Sequence, residues 1–227
     1  MRPPLRAVAT LAAAAALVTG CSSGDDWSRP HPKQSAIGTL GPGFIDPSAP
    51  PTPEATVTPR PGSWTGVHPA KGYRVVLLTA GDDRPTKALV TAVKNWAASE
   101  HVDLRTVVAD DRSDLIPSIT RAIDMSPDLV VSAGNGLVDP LTVVTASHLS
   151  QQFLVVGAEL AEPTHNVTAV VWPGASFRGE GLDMSSTYDP GSFTSGRCAA
   201  AIRAGVAAVL HDLTGMVIWL DDLQLVP

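Results

Sequence analysis

Two pairs of acidic residues stand immediately after apolar runs of the sequence. Asp82 and Asp83 follow the run at residues 73–79, and Asp110 and Asp111 follow the run at residues 102–108. Carboxylates at such positions can accept hydrogen bonds from a ligand's hydroxyl groups, or they can cap the helices that follow them. Capping within a solvated loop is the more common use of these residues, and the pattern leaves both interpretations open.

Two further polar positions follow apolar runs later in the chain. Asn135 lies between Gly134 and Gly136, where glycines either admit a ligand to the backbone or simply make a tight turn. This loop is not a dinucleotide-binding fingerprint, because Asp139 stands where that motif needs its third glycine. Arg178, with Glu180 beside it in the irregular stretch 173–189, is interpreted either as half of a local salt bridge or as an anchor for an anionic or hydroxylated ligand.

The sequence argues against several classes of function. A formal charge of -6 disfavours a nucleic-acid-binding surface, and no phosphate-binding loop motif is present. The six histidines have no helical i, i+4 pair and there are only two cysteines, so no metal site is predicted. Ser176 lacks the second glycine of a nucleophile elbow. We therefore expect a protein that is not an enzyme and uses no cofactor.

The first residues have the pattern of an export signal. Arg2 and Arg6 precede an apolar stretch at residues 7–18, which is too short for a membrane-spanning helix. The stretch leads into Gly20 and Cys21, a junction that resembles the bacterial lipobox. The pattern predicts a lipoprotein signal peptide at residues 1–20 and lipid on Cys21. The mature chain would then be held on the outer face of the cell membrane by its lipid alone.

Residues 21–69 are expected to form a disordered tether. Ten of the 20 prolines lie in this segment, and it has no helical or strand periodicity. Trp27 and Trp64 do not fit that description, and the sequence does not decide whether they dock on the domain or lie at the lipid surface.

Residues 70–227 alternate between short apolar runs and amphipathic stretches. This alternation predicts a three-layer, doubly wound α/β domain that folds on its own, with a mostly parallel sheet of about six strands in a flavodoxin-like arrangement. In the second helix, Leu115, Ile116, Ile119 and Ile123 are expected to face inward. The third helix is expected to start with Asp139 as its N-cap and Pro140 as its first residue.

Three apolar segments, residues 127–136, 152–157 and 166–172, precede a small-residue-rich helix at 196–205. The order of these segments resembles that of the basic membrane protein family of substrate-binding lipoproteins. The resemblance implies one lobe, the N-terminal one, of a type I periplasmic-binding fold that binds a nucleoside for an ABC importer. Two features depart from the family: the sequence has no counterpart of the second lobe, and the loop at residues 80–85 lacks an aromatic residue.

The resemblance implies a solute-binding-like lipoprotein with an ABC permease as partner. Its candidate ligand-binding residues are Asp82, Asp83, Asp110, Asn135 and Arg178, where the acids would accept sugar hydroxyls and Asn135 would bond to a base or sugar edge. The alternative is an interaction or sensor lobe that pairs with itself or with another envelope protein. Under that alternative the stretch 173–189 belongs to a dimer face, whereas otherwise it folds over its own chain.

Overall fold

The computed structural model describes Trp27 and residues 31–221, and its framework is one parallel β-sheet. The seven strands are β1 (Thr56–Val57), β2 (Arg74–Ala80), β3 (Asp103–Ala109), β4 (Leu129–Ala133), β5 (Phe153–Val156), β6 (Val167–Val171) and β7 (Val217–Trp219). They lie in the order β1-β7-β6-β5-β4-β2-β3, and every neighbouring pair is parallel.

The central strands are continuous apolar runs because helices cover both of their faces. Every residue of β4, β5 and β6 is buried. Four helices form the outer layers: α1 (Arg84–Ser99), α2 (Leu115–Asp124), α3 (Val138–Thr145) and α4 (Ser195–Leu210). Helices α1 and α4 share one apolar core with the sheet, and α2 and α3 share the other. The predicted fold class, a three-layer α/β domain on a parallel sheet, is confirmed, with seven strands in place of about six.

Helix α4 packs unusually close to the sheet. A Cβ atom added at Gly205 would lie 2.4 Å from Leu154 Cδ1 and 2.8 Å from Val170 Cγ2. Only glycine fits at this contact without displacing the Leu154 and Val170 side chains beneath it. The small residues of this helix therefore set the distance between two layers.

The expected tether at residues 21–69 is wrong for the part that the structure describes. Strand β1 extends the sheet by pairing with β7, and the side chains of Phe44 and Trp64 are buried in the core beside α1 and α4. Their rings meet edge to face, with centroids 6.5 Å apart. The folded domain therefore includes residues well before position 70. Single aromatic side chains between turns hold this segment, so no hydrophobic periodicity marked it in the sequence.

Two local expectations are also corrected. Ile116 is about half exposed, because it lies in the first turn of α2 on the side away from the sheet. Asp139 does not cap α3: the helix already starts at Val138, so Asp139 and Pro140 lie within its first turn. None of the helices in the described ranges is long and apolar enough to cross a membrane.

Candidate functional site

A cleft opens at the point where the direction of strand order reverses. From β2 the chain passes first to β3 on one side and then to β4 on the other. The helices that follow β2 and β4 at the carboxyl edge, α1 and α3, cover opposite faces of the sheet. Ligands of doubly wound proteins bind at such a switch point. The cleft measures about 730 Å³, and its lining includes Asp83, Asp110, Asn135, Asp139 and Phe177. Three of the five candidate ligand-binding residues are thus brought together in one cavity.

Asp83 is largely committed to its helix. Its Oδ1 accepts a hydrogen bond from the backbone N–H of Thr86 at 3.0 Å, and its Oδ2 accepts one from the Thr86 hydroxyl at 2.7 Å. Asp83 is therefore the N-cap of α1, with Pro85 at the second helical position. Of the two roles left open for Asp83, helix capping is therefore present. A ligand that bonded to Asp83 would compete with Thr86 for the same carboxylate.

The loop after β4 lies tightly against the loop after β2. Gly134 has a φ of 112°, and an added Cβ would lie 3.0 Å from both the Ala80 carbonyl oxygen and Thr86 Oγ1. A larger residue would be strained by its own backbone and would separate the two loops. Glycine at this position brings Asn135 to the floor of the cleft.

Asp110 and Asn135 carry the polar groups that remain available. Within the described part of the chain, neither the Asp110 carboxylate nor the Asn135 amide makes a hydrogen bond to another group of the protein. Asp110 is held through its backbone, whose N–H donates to Asp114 Oδ2 at 3.2 Å. The cleft therefore offers a carboxylate acceptor together with an amide that both donates and accepts.

The other acids after β3 stabilise the loop. Asp111 Oδ1 accepts from the Ser113 backbone N–H at 2.7 Å and from the Ser113 hydroxyl at 2.6 Å, and these bonds lower the pKa of Asp111. Asp114 accepts two hydrogen bonds from Arg121, at 2.8 and 2.9 Å. The hydrogen bonds from Arg121 and Ser118 hold the pKa of Asp114 far below its usual range. Asp111 also lines the cleft, but its Oδ1 is already used by the loop, and Asp114 is not among the lining residues.

The stretch 173–189 folds over its own chain. The Ser186 hydroxyl accepts from the Gly174 N–H at 2.9 Å and pairs with the Ser176 hydroxyl at 2.8 Å. The Phe177 carbonyl accepts from the Glu159 N–H at 2.9 Å. These contacts place the Phe177 ring in the cleft wall, and they bring Glu180 to its mouth, where Glu180 Oε1 lies 3.5 Å from Arg112 Nη2.

Arg178 lies outside this cleft. Its Nε is 3.3 Å from Glu159 Oε1, and it helps line a separate cavity of about 360 Å³ beside Trp219. Burial raises the pKa of Glu159, an effect that the positive charge of Arg178 partly offsets. The local salt bridge foreseen as the simpler role of Arg178 is therefore present, although its partner is Glu159. Glu180 pairs instead with Arg112.

Asp82 also lies apart from the cleft lining. Its side chain is 95% exposed, and its Oδ2 lies 3.2 Å from Lys87 Nζ. The proposed lipid site Cys21 and the signal peptide at residues 1–20 lie outside the described residues. No group of three or more side chains suited to a metal ion occurs among the residues that the structure describes.

Sequence reasoning missed the contributions of Phe177 and Asp139 to the cavity. The sequence indicates Phe177 only as a member of the stretch 173–189, and it indicates Asp139 as a helix cap and not as a cleft residue. Each reaches the cleft through contacts between segments far apart in the chain: Asp139 Oδ1 and Oδ2, for example, lie 3.3 Å from the Glu180 backbone N. A short motif around either residue would not have revealed this.

Comparison with known proteins gives structural likenesses only. No protein-family model matches the chain, and no curated protein matches it significantly. Solute-binding proteins of ABC transporters are among the similar solved structures. One from Aeropyrum pernix K1 has 18% identity and a TM-score of 0.41, with 44% of this chain and 29% of that chain covered. A periplasmic ribose ABC transporter protein from Conexibacter woesei DSM 14684 has 18% identity and a TM-score of 0.32, with 67% and 55% covered.

A provisionally assigned lipoprotein, a fragment from Peptoclostridium difficile 630, is also similar. It has 18% identity and a TM-score of 0.44, with 62% of this chain and 99% of that chain covered. This chain spans less than two thirds of the length of the Aeropyrum and Conexibacter proteins. All three TM-scores are below 0.5, so the ligands and partners of these proteins are not transferred to this chain.

Proposed function

We propose that this protein is a solute-binding-like protein of the cell envelope that binds a small hydroxylated molecule, of the nucleoside or sugar kind, in the switch-point cleft. The observation that carries the proposal is the cavity of about 730 Å³ in which Asp110, Asn135 and Phe177 meet. A carboxylate accepts hydrogen bonds from ligand hydroxyls, an amide pairs with a base or sugar edge, and an aromatic ring packs on the apolar face of either.

The charge of the cleft supports a neutral ligand over a phosphorylated one. Its lining has five acidic side chains, Asp83, Asp110, Asp111, Asp139 and Glu180, and one basic side chain, Arg112, which is paired with Glu180. A phosphate group would meet a net negative surface, whereas sugar hydroxyls would find unused acceptors. The cleft is open on one side, so we expect weak binding in the absence of a second covering surface.

The cell-envelope part of the proposal rests on the sequence of the N-terminus. Lipid on Cys21 would hold the protein at the outer face of the membrane, where an ABC permease is the proposed partner. Replacing Cys21 with Ala should move the protein from the membrane fraction to the soluble fraction. If the Cys21→Ala protein stays in the membrane after a carbonate wash, the anchor lies elsewhere.

A thermal-shift screen of the soluble Cys21→Ala protein tests the ligand class. We expect millimolar nucleosides or their free sugars to raise the melting temperature, because a ligand that binds only the folded state stabilises it. The matching nucleoside monophosphates should have a smaller effect. Absence of a shift with every nucleoside and sugar would contradict the proposal.

Substitutions in the loops after β2, β3 and β4 locate the site. Asp110→Asn and Asn135→Ala should each reduce the ligand-induced shift, since both side chains lack hydrogen-bonding partners in the described chain. Asp82→Asn is the matched control, because Asp82 is adjacent to the cleft in sequence but its exposed carboxylate pairs with Lys87. A shift that survives in both cleft variants, or that is lost in the control, would place the ligand elsewhere.

An interaction lobe remains the alternative. Ile116 on α2 and Val143 on α3 are 48% and 66% exposed, and both helices cover the same face of the sheet. Exposed apolar side chains on one face favour a protein partner or a second copy of the chain. Sedimentation at micromolar concentration tests pairing: a dimer that Val143→Glu dissociates would support it, and a monomer would contradict self-pairing.

A further inference from the structure

Trp27 is docked on the domain, although it lies only six positions after Cys21. Its side chain is 5% exposed and belongs to the core beside α2. The indole N–H donates to Asp103 Oδ2 at 2.5 Å. The guanidinium carbons of Arg105 and Arg74 lie 4.2 and 5.6 Å from the ring centre. Apolar burial, a charge-assisted hydrogen bond and two cation–π contacts together fix this residue.

Two further residues, His31 and Lys33, contact the same end of the sheet. His31 Nε2 lies 3.0 Å from Asp128 Oδ2, and Lys33 Nζ lies 2.6 Å from Asp212 Oδ1. Asp128 directly precedes β4, and Asp212 follows the C-terminal end of α4. In a parallel α/β sheet, strand starts and helix ends lie together at the amino edge. Trp27 fits this pattern, because Arg74 and Asp103 are the first residues of β2 and β3.

A bridge between Ile37 and His68 lies at the same edge. Ile37 and His68 exchange two backbone hydrogen bonds of 2.8 and 2.9 Å, and His68 Nδ1 lies 2.9 Å from Glu100 Oε2 at the end of α1. The amino edge is thus the docking surface for the N-terminal segment. The switch-point cleft lies at the opposite, carboxyl edge, and the seven residues of β2 between the two edges span about 23 Å.

This docking sets how far the domain can move from an anchored Cys21. If all of residues 21–69 were a flexible coil, its ends would lie about 40 Å apart on average. With Trp27 docked, only six peptide steps separate the anchor from the domain, or about 20 Å at full extension. That reach is shorter than the length of β2.

We propose that the amino edge of the sheet faces the lipid bilayer and the switch-point cleft faces away from it, with Trp27 as the contact that fixes this orientation. The inference rests on the proposed lipid on Cys21. In this orientation the phospholipid surface is the partner of the amino edge, and the cleft is open to a ligand and to a second protein above the membrane.

Energy transfer to labelled lipid tests the orientation in the full-length, lipidated protein. A fluorescent donor is attached either at Asp124→Cys, at the exposed end of α2 on the amino edge, or at Asp82→Cys, at the carboxyl end of β2. Cys198 is fully buried and the proposed lipid occupies Cys21, so the introduced thiol alone should react. The protein is placed in phosphatidylcholine and phosphatidylglycerol liposomes that contain an acceptor lipid. We expect higher transfer from position 124 than from position 82.

Two further variants separate the role of the docked tryptophan from that of chain length. Trp27→Ala should make transfer from the two positions more nearly equal, because it releases the segment from the domain. Insertion of about ten Gly and Ser residues after Gly24 should have the same effect, because it lengthens the connection between Cys21 and Trp27. The mean end-to-end distance of a flexible linker of n residues is about 5–6 Å × √n. The insertion changes none of the residues whose contacts the structure describes, so its result stands even if Trp27→Ala impairs folding.

The outcomes are distinct. Three results would each overturn the proposed orientation. They are equal transfer from positions 124 and 82 when Trp27 and the linker are unchanged, higher transfer from position 82, and no response of the transfer to the insertion. Failure of the protein to associate with the liposomes would refute the lipid anchor, and the orientation with it. The ligand proposal is independent of both results, because the soluble Cys21→Ala protein tests it separately.

Discussion

At the scale of single residues, Asp114 connects the stability of α2 to the geometry of the cleft. Its carboxylate accepts from Arg121 and Ser118 on the helix and from the backbone N–H of Asp110 in the cleft loop. The same carboxylate therefore fixes the helix start and positions the loop that presents Asp110. Neither acid of the adjacent sequence, Asp110 or Asp111, has this combination of contacts.

We predict that Asp114→Asn lowers the free energy of unfolding at pH 7 and that this difference shrinks on acidification. The pKa of Asp114 is lowered in the folded state, so its stabilising contribution is fully present above the unfolded value of about 3.9. It decreases progressively as the pH falls from there toward the folded-state pKa. Urea unfolding of both proteins at pH 7 and at about pH 3 measures the effect. Asp124→Asn, at the exposed end of the same helix, is the control. Equal differences at both pH values would contradict the role of the charged carboxylate.

Cys198 illustrates a residue whose burial decides its chemistry. Burial raises the pKa of its thiol to about 11, so the reactive thiolate is scarce at neutral pH. In the Cys21→Ala protein, where it is the single thiol, we predict that Cys198 reacts with a maleimide only as the domain unfolds in urea. The control is Ser195→Cys, one turn earlier on the exposed start of α4, which should react at once. Rapid labelling of Cys198 in the native protein would show that the helix opens locally.

At the scale of elements, the contact between α4 and the sheet depends on a glycine that helix propensity alone would disfavour. Glycine costs about 0.8–1.0 kcal/mol relative to alanine within a helix. The close approach at Gly205 explains its presence, since Leu154 and Val170 occupy the space where a Cβ would lie. Packing between layers outweighs local preference at this position.

The same substitution at two positions of α4 should have opposite effects. We predict that Gly205→Ala lowers the unfolding free energy by about 1–3 kcal/mol through overpacking. Gly196→Ala should raise it by up to about 1 kcal/mol, because nothing lies within 4 Å of the added Cβ and the helix gains propensity. Chemical denaturation of both variants measures the difference. Stabilisation by Gly205→Ala would mean that the layers can separate without cost.

The elements also show which expectations depend on tertiary contacts. The apolar runs of residues 70–227 predict about six strands, because buried parallel strands need apolar residues on both faces. Strand β1 was not recognised: it has only two residues, and it exists through its pairing with β7. Likewise Ile116 fits the helical stripe of α2, yet its side chain is exposed because no layer covers that side of the first turn.

At the scale of the whole molecule, the N-terminal segment is a structural part of the domain. Phe44 is 2% exposed and packs in the core with Trp64, although both lie in a proline-rich stretch. The prolines are compatible with this order, because they reduce the conformational freedom that folding must remove. The segment closes the amino edge and adds one strand to the sheet.

We predict that Phe44→Ala lowers the unfolding free energy by about 3–5 kcal/mol, the usual cost of truncating a buried aromatic side chain. Ile37→Ala is the matched control: it removes an apolar side chain from the same segment, but one that is 54% exposed, and should change stability by no more than about 0.5 kcal/mol. A chain that begins at Gly66 should lose at least as much stability as Phe44→Ala. Urea unfolding of the three proteins measures these changes. If the chain that begins at Gly66 has the same urea midpoint as the full chain, the segment before Gly66 does not stabilise the domain and the tether prediction holds.

The sequence by itself determined the α/β class, the parallel sheet, and the loops whose residues reach its carboxyl edge. These follow from local periodicity and from the rule that parallel strands need crossover connections. Tertiary structure alone decided that Asp83 caps α1, that Arg178 pairs with Glu159 away from the cleft, and that Phe177 joins Asp110 and Asn135. It also decided that Trp27, Phe44 and Trp64 dock on the domain. These outcomes depend on contacts between residues far apart in the chain, which leave no periodic signal in the sequence around either partner.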